Sequence, residues 1–223
     1  MKYTFDFSWI FQYWPVLLKG IAITLELIAV GGLIGVALGI FCAWGRALGP
    51  KWLKPIIATY VELIRNTPFL IQLFFIFFGL PSLGVQMDEL QAANLAMVVN
   101  LGAYSCEIIR AGIQATQKGQ FEAGASLGMS RIETFRHVVL IPALQRIWPA
   151  LSSQIVIVML GSAAVSQIAA EDLTFAANFI QSRNFRAFET YLVATLIYLA
   201  LAIGLRQVLR GIGWTLFPKR AAS

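Results

Sequence analysis

Charge is scarce in this chain. Only 13% of its 223 residues are Asp, Glu, Lys or Arg, where a soluble domain carries about a quarter. With 58% hydrophobic residues set in long runs, that scarcity excludes an ordinary soluble domain and points to a bilayer as solvent. Cysteine is almost missing. Cys42 and Cys106 both lie inside apolar runs, which suits free thiols packed as small hydrophobes and excludes a disulfide framework. The one histidine, His137, has no second His or Cys near it in sequence, so no metal site is supported. No G-x-x-x-x-G-K-[ST] stretch occurs, hence no phosphate-cradling loop. No nucleophile, base and orienting group can be assembled around the lone His137. The chain reads as no catalyst by itself. Its net charge of +6 forms no patch suited to nucleic acid.

What is present is span-length oil. Crossing about 30 Å of hydrocarbon takes about 20 helical residues. Residues 21–44, 55–80, 92–113, 148–168 and 191–214 qualify. They predict an all-α integral membrane helical bundle with five transmembrane helices. Arg46, Lys51, Lys54, Arg110, Lys118, Arg131, Arg136, Arg146, Arg206, Arg210, Lys219 and Arg220 fall on one side of it, and Lys2, Lys19, Arg183 and Arg186 on the other, twelve against four, with Arg65 inside a span. The positive-inside rule makes the twelve cytoplasmic. The N-terminus is then outside and the C-terminus inside, as five crossings require. Residues 1–20, "MKYTFDFSWIFQYWPVLLKG", lack the pattern of a cleavable signal. Their Trp9, Tyr13 and Trp14 suit an interfacial helix leading into the first span. Residues 21–216 form the membrane domain and 217–223 a cytoplasmic tail.

On the expected cytoplasmic side lies "FEAGASLGMSRIETF". Phe121–Leu127 is rich in Ala and forms a short helix. Gly128 ends it by taking the left-handed conformation. Ser130 opens a second helix through a capping box with Glu133. Ile132, Phe135 and Val139 recur at helical spacing and predict one apolar face. Ala123, Gly124, Ala125 and Ser126 offer a low ridge onto which another protein's groove can close.

"EAGASLG" followed by "VVLIP" resembles the EAA loop of ATP-binding-cassette importer permeases. Glu122, Ala123, Gly128 and Leu140 match its pattern. Gly124 replaces the second alanine, Val138 the isoleucine, and Pro142 stands one place late, behind Ile141. "YVELIRNTPFLIQLFFIFFGLP", "GAYSCEIIRAGIQATQKGQFEA", "GMSRIETFRHVVL" and "EDLTFAA" are similar to the polar amino acid branch of that family. The resemblance implies a bacterial inner-membrane permease subunit with a periplasmic N-terminus. In it the hairpin, residues 118–142, is a coupling helix seated in a separate ATPase subunit. Glu122, Ala123, Gly124, Gly128, Met129, Ser130 and Arg131 would make the contact, with Arg136 at its rim. ATP and Mg would sit in that ATPase, with no cofactor on this chain. A second permease, identical or homologous, an extracytoplasmic amino-acid-binding protein and membrane lipid would complete the partners. Relatives often carry Lys-Asp where this chain has Leu160 and Gly161. A chain without that pair is either the weaker half of a heterodimer or handles a different solute.

Polar residues inside spans are costly and face protein or a water-filled path. Glu62 with Arg65, and Glu107 with Arg110, have the i, i+3 spacing of an ion pair; either they neutralise one another or they exchange partners during transport. Asn66, Thr67 and Pro68 predict a kink in the second span, and irregular backbone at that depth is buried or lines a cavity. Gln72, Asn100, Tyr104, Ser162 and Ser166 join Glu62, Arg65, Asn66, Thr67 and Glu107 as candidates for the translocation path. Ser162 and Ser166, four apart, share a face on a regular helix and serve equally as packing glue. A competing reading is an ion-gradient carrier that titrates Glu62 and Glu107. Such a carrier needs no docking hairpin, and no inverted repeat is visible. A third is a membrane subunit with no transport role.

Overall fold

The structure is a computed structural model and describes residues 4–116 and 118–217, without the side chains of Lys118 and Arg131. Lys2, Lys219, Arg220 and all but the first residue of the expected tail lie outside the described residues. So do the side chains of Lys118 and Arg131, and any contact expected of them. Among the described residues every regular element is a helix and there is no strand.

Helix α1 spans Trp9–Leu48, 40 residues. At 1.5 Å per residue that is about 60 Å, twice the hydrocarbon thickness. No break divides the expected interfacial segment from the first span, even at Pro15. Trp9 and Leu17 are buried against Leu173 and Ile180, so this segment is part of the packed bundle.

Helix α2, Leu53–Arg65, and helix α3, Phe69–Ser82, meet at a bend of 112°. The expected kink is thus a sharp turn. Pro68 supplies the reason: its backbone is extended (ψ 139°), and its ring bars helix at Thr67. Helix α4, Glu89–Gln114, opens with a capping box between Asp88 and Gln91, a signal not read from the sequence.

The direction of packing fixes the number of crossings. A Cβ added to Gly31 would lie 3.1 Å from the Met97 Cβ, one on Gly35 3.1 Å from the Leu101 Cβ, and one on Gly39 2.4 Å from the Ser105 Cβ. Each step of four along α1 matches a step of four along α4. The two helices therefore run parallel in small-xxx-small contact. Parallel neighbours require the chain to recross between them, so α2 and α3 form one broken span, not a re-entrant loop.

Helix α5, Lys118–Ser126, is followed by a long rod, α6, over residues 131–168. The rod starts with Arg131–Glu133, widens to a π segment over Thr134–Leu140, and is regular over Ile141–Gly161. It tightens to a 3-10 segment over Ser162–Ile168. Another π segment, Phe75–Gly79, lies in α3. Each ends two residues before a proline, Pro81 or Pro142. A ring without N–H clashes with the carbonyl four residues back, and the wider turn relieves it. Helix α7, Leu173–Asn184, is capped by Asp172, in a stretch where the sequence reading has only a connection. Helix α8 is Ala187–Leu216. The main cores join α1, α4 and α6, and α7 closes over the start of α1.

Candidate translocation path and coupling hairpin

The break at Asn66–Pro68 frees backbone carbonyls, and Gln72 collects them. Its amide nitrogen donates to the carbonyls of Ile64 (2.7 Å) and Thr67 (2.9 Å) and to Thr67 Oγ1 (2.9 Å). Its Oε1 accepts from Asn100 Nδ2 at 2.9 Å. Gln72 and Asn100 are both buried. One amide thus ties the broken span to α4.

Beside this strut is a cavity of about 240 Å³, lined by Thr67, Pro68, Phe69, Met97, Asn100, Tyr104, Gln154, Ile157, Val158 and Gly161. None of these side chains is charged. Arg65 lies just outside, its guanidinium 5.6 Å from the Tyr104 ring centre. The structure therefore brings Arg65, Thr67, Gln72, Asn100 and Tyr104 together, with Asn66 at the break. Gln154 and Gly161 complete the lining. Gln154 was visible as a polar residue in a span, but its face was not.

Other candidates lie elsewhere. Glu62 and Arg65 are exposed, and no ion pair joins them among the described residues. The short turn ending α2 lets Arg65 swing to Tyr104 instead. Glu107 does pair with Arg110, and Arg46 from α1 adds a second cation at 3.0 Å. None of the three lines the cavity, although Glu107 stands one helical turn from Tyr104 and within electrostatic reach of Arg65. Ser162 and Ser166 turn back onto their own helix, donating to the carbonyls of Met159 (2.6 Å) and Ala163 (2.9 Å). In a 3-10 segment, with three residues per turn, positions four apart diverge, so the expected shared face does not form.

At the opposite end of α6 is the hairpin. Gly128 has φ +72°, the left-handed region in which a Cβ is disfavoured. The Ser130 amide donates to Glu133 Oε2 (2.8 Å) and the Glu133 amide to Ser130 Oγ (3.3 Å). The bond from the Ser130 amide holds the Glu133 carboxyl below its ordinary range. Phe135 and Val139 are buried, but Ile132 is 63% exposed and Leu127 79%. The π segment beginning at Thr134 breaks the register that would have turned Ile132 inward. Glu122, Ala123, Ala125 and Ser126 are exposed and Met129 is half-buried. Gly124 is buried: a Cβ there would lie 2.7 Å from Thr134 Cγ2 and 2.8 Å from its Oγ1. It joins the two helices of the hairpin and is not part of the outer ridge. Arg146, whose role was not foreseen, donates to the Ala115 carbonyl at 2.8 Å and ties the end of α4 to α6.

The described residues thus carry a hairpin with an exposed apolar edge, a broken span and a parallel glycine-packed pair. Residues 35–212 match the family described as "Binding-protein-dependent transport system inner membrane component". The chain belongs to this family. The permease is 34% identical over 208 residues, 92% of its length and 95% of the other's, to the glutamine transport system permease protein GlnP of Escherichia coli (strain K12). It is 35% identical over 199 residues, covering 89% and 91%, to the arginine transport system permease protein ArtQ of Bacillus subtilis (strain 168). Among solved structures it superposes on an amino acid ABC transporter with histidines at a TM-score of 0.83 and 37% identity, covering 95% of this chain and 99% of that one. Membership makes it a multi-pass inner-membrane permease subunit of an ABC transport system and favours that reading over a gradient-driven carrier.

Proposed function

We propose that this permease imports an uncharged polar amino acid through the cavity at Asn100, Tyr104 and Gln154, driven by a separate ATPase subunit seated on the hairpin. The observation that carries the reading is α6 itself. One rod begins at the capped turn after Gly128 and reaches the cavity at Gln154 and Gly161. Thirty residues of helix span about 45 Å. A push at Leu127 and Ile132 therefore moves the cavity wall.

ATP and Mg belong to the ATPase partner. Glu122, Ala123, Met129, Ser130 and Arg131 border the contact, and the exposed Leu127 and Ile132 anchor it. A second permease completes the path, and an extracytoplasmic binding protein delivers the solute. The basic residues put the hairpin and the C-terminus in the cytoplasm and the N-terminus in the periplasm. With no charged residue in the cavity lining, a cationic side chain would be desolvated there without a counter-charge, and the cation at its edge, Arg65, already faces the Tyr104 ring. Amide and hydroxyl side chains find partners in Asn100, Gln154, Thr67 and Tyr104. Leu160 and Gly161, where the family resemblance implies Lys-Asp, agree with a solute that needs no charge pairing.

The test is ATP hydrolysis by the assembled transporter in proteoliposomes, with its binding protein and one amino acid at a time. Glutamine, asparagine or serine should raise turnover, and arginine and glutamate should not. Stimulation by arginine alone overturns the uncharged-solute reading. Failure of a Leu127→Cys variant to cross-link to the ATPase overturns the hairpin contact.

A further inference from the structure

We propose that the cleft between α6 and α8 is a binding site for one anionic phospholipid. It has a volume of about 610 Å³ and is lined by Gln145, Trp148, Ser152, Arg206, Arg210 and Trp214, among others. At 100° per residue, its α6 residues 145, 148, 149, 152, 153 and 156 lie on the face opposite 154, 157, 158 and 161, which line the solute cavity. The site is therefore separate from the path and turned away from it.

Charge sets the ligand. Arg206 and Arg210 stand one turn apart on α8. Both are exposed, and neither guanidinium has a hydrogen bond or ion pair among the described residues. The acids of the two lining helices, Glu133 and Glu189, stand far from the cleft, 12 residues before Gln145 and 17 before Arg206, and residues 134–170 and 190–223 contain no Asp or Glu. Ser152 Oγ is buried without a partner and is a further donor at the wall. Two cations on one lipid-facing helix, unpaired by any acid on either wall, fit a phosphodiester.

The rest of the cleft suits the remainder of a lipid. The Trp148 indole N–H donates to the Leu209 carbonyl at 2.9 Å, and its ring meets Phe217 edge-on at 5.6 Å. Gly213 makes room for it, since a Cβ there would lie 2.4 Å from the indole nitrogen. Exposed Trp214 completes an aromatic rim of the kind found at headgroup depth. Arg210 is six residues from the end of α8, about 9 Å, within reach of that depth by extension of its side chain. Above it, Ile203 and Leu199 are exposed and offer an apolar track for acyl chains. Basic clefts between spans at the cytoplasmic end recognise acidic headgroups in this way.

The experiment uses the full transporter in vesicles and reads tryptophan quenching by phospholipids brominated on their acyl chains. Brominated phosphatidylglycerol should quench with a preference of about tenfold over brominated phosphatidylcholine. Arg206→Gln/Arg210→Gln should abolish the preference, and Arg206→Lys/Arg210→Lys should retain most of it. Thermal unfolding in zwitterionic vesicles should be equal for all three, because neither side chain holds another part of the fold. Equal quenching by the two lipids, or a preference that survives the double Gln change, overturns the proposal. Displacement by millimolar inorganic phosphate reassigns the site to a soluble anion. Cross-linking of an Arg210→Cys variant to a neighbouring subunit makes the cleft a protein interface and also overturns it.

Discussion

Gln72 shows how much one buried amide carries when a span is broken. It satisfies two carbonyls and a hydroxyl freed around Pro68 and receives the Asn100 amide. Gln72→Leu fills similar space and leaves these groups unpaired in a site of low dielectric, at about 1–3 kcal/mol for each group left buried. The expected result is a loss of roughly 5–10 °C in the thermal unfolding of the detergent-solubilised transporter, with transport lost in step. A variant that melts with the wild type sinks the strut. At the far end, Asp172 is a second buried polar group. Burial pushes its carboxyl from 3.8 up to about 6, against bonds from the Phe175 amide and the Tyr198 hydroxyl. A raised folded value means the native state holds the proton more tightly than the unfolded chain. Its contribution is therefore full below about pH 4 and is lost as pH rises through 6, worth at most about 3 kcal/mol. The melting temperature of wild type minus that of Asp172→Asn should fall between pH 4.5 and pH 7. A difference that rises or stays flat contradicts the assignment.

At the scale of elements, the hairpin was largely legible because its signals are local. Gly128 after an Ala-rich run and Ser130 three before Glu133 specify their own geometry, and both appear as read. What failed there depends on a neighbour. Ile132 was placed inward by a 3.6-residue period that the π segment before Pro142 does not keep. Gly124 looked like part of a docking ridge because nothing in sequence shows that Thr134 lies behind it. The structure makes that pairing testable. Gly124→Ala puts a methyl into Thr134 Cγ2 and Oγ1 and should pry the hairpin apart. Overpacking of this kind costs about 1–3 kcal/mol. Thr134→Ala removes both atoms, so Gly124→Ala/Thr134→Ala should recover most of the loss. Solute-stimulated ATP hydrolysis of the four proteins in a double-mutant cycle measures this. Additive effects would show that the two residues do not meet.

For the whole molecule, composition alone was enough for membrane class and for four to five candidate spans, since hydrocarbon thickness sets helix length. It could not give the direction of packing. The glycine steps at 31, 35 and 39 are plain in sequence, but their partners at 97, 101 and 105 are not, and it is the pairing that makes α2 and α3 one broken span. The candidate path was half legible for the same reason: Asn100 and Tyr104 converge with Thr67 and Gln72 only because Pro68 turns the chain by 112°, whereas Glu62, Ser162 and Ser166 went elsewhere. The converged site is still open on one side. Ile157, which lines the cavity, is 60% exposed, and Leu160, one turn further along α6, is 47% exposed. A polar route with a wall of lipid would be leaky and costly to keep wet, so a second permease should close it there. Single cysteines at 157 or 160, with Cys42 and Cys106 replaced by Ala, should cross-link permease to permease under mild oxidation. A cross-link to an identical copy indicates a homodimer, and one to a different chain a heterodimer. Labelling of both positions by a lipid-soluble maleimide, with no cross-link in any nucleotide state, would leave the cavity facing the bilayer and defeat the path as drawn.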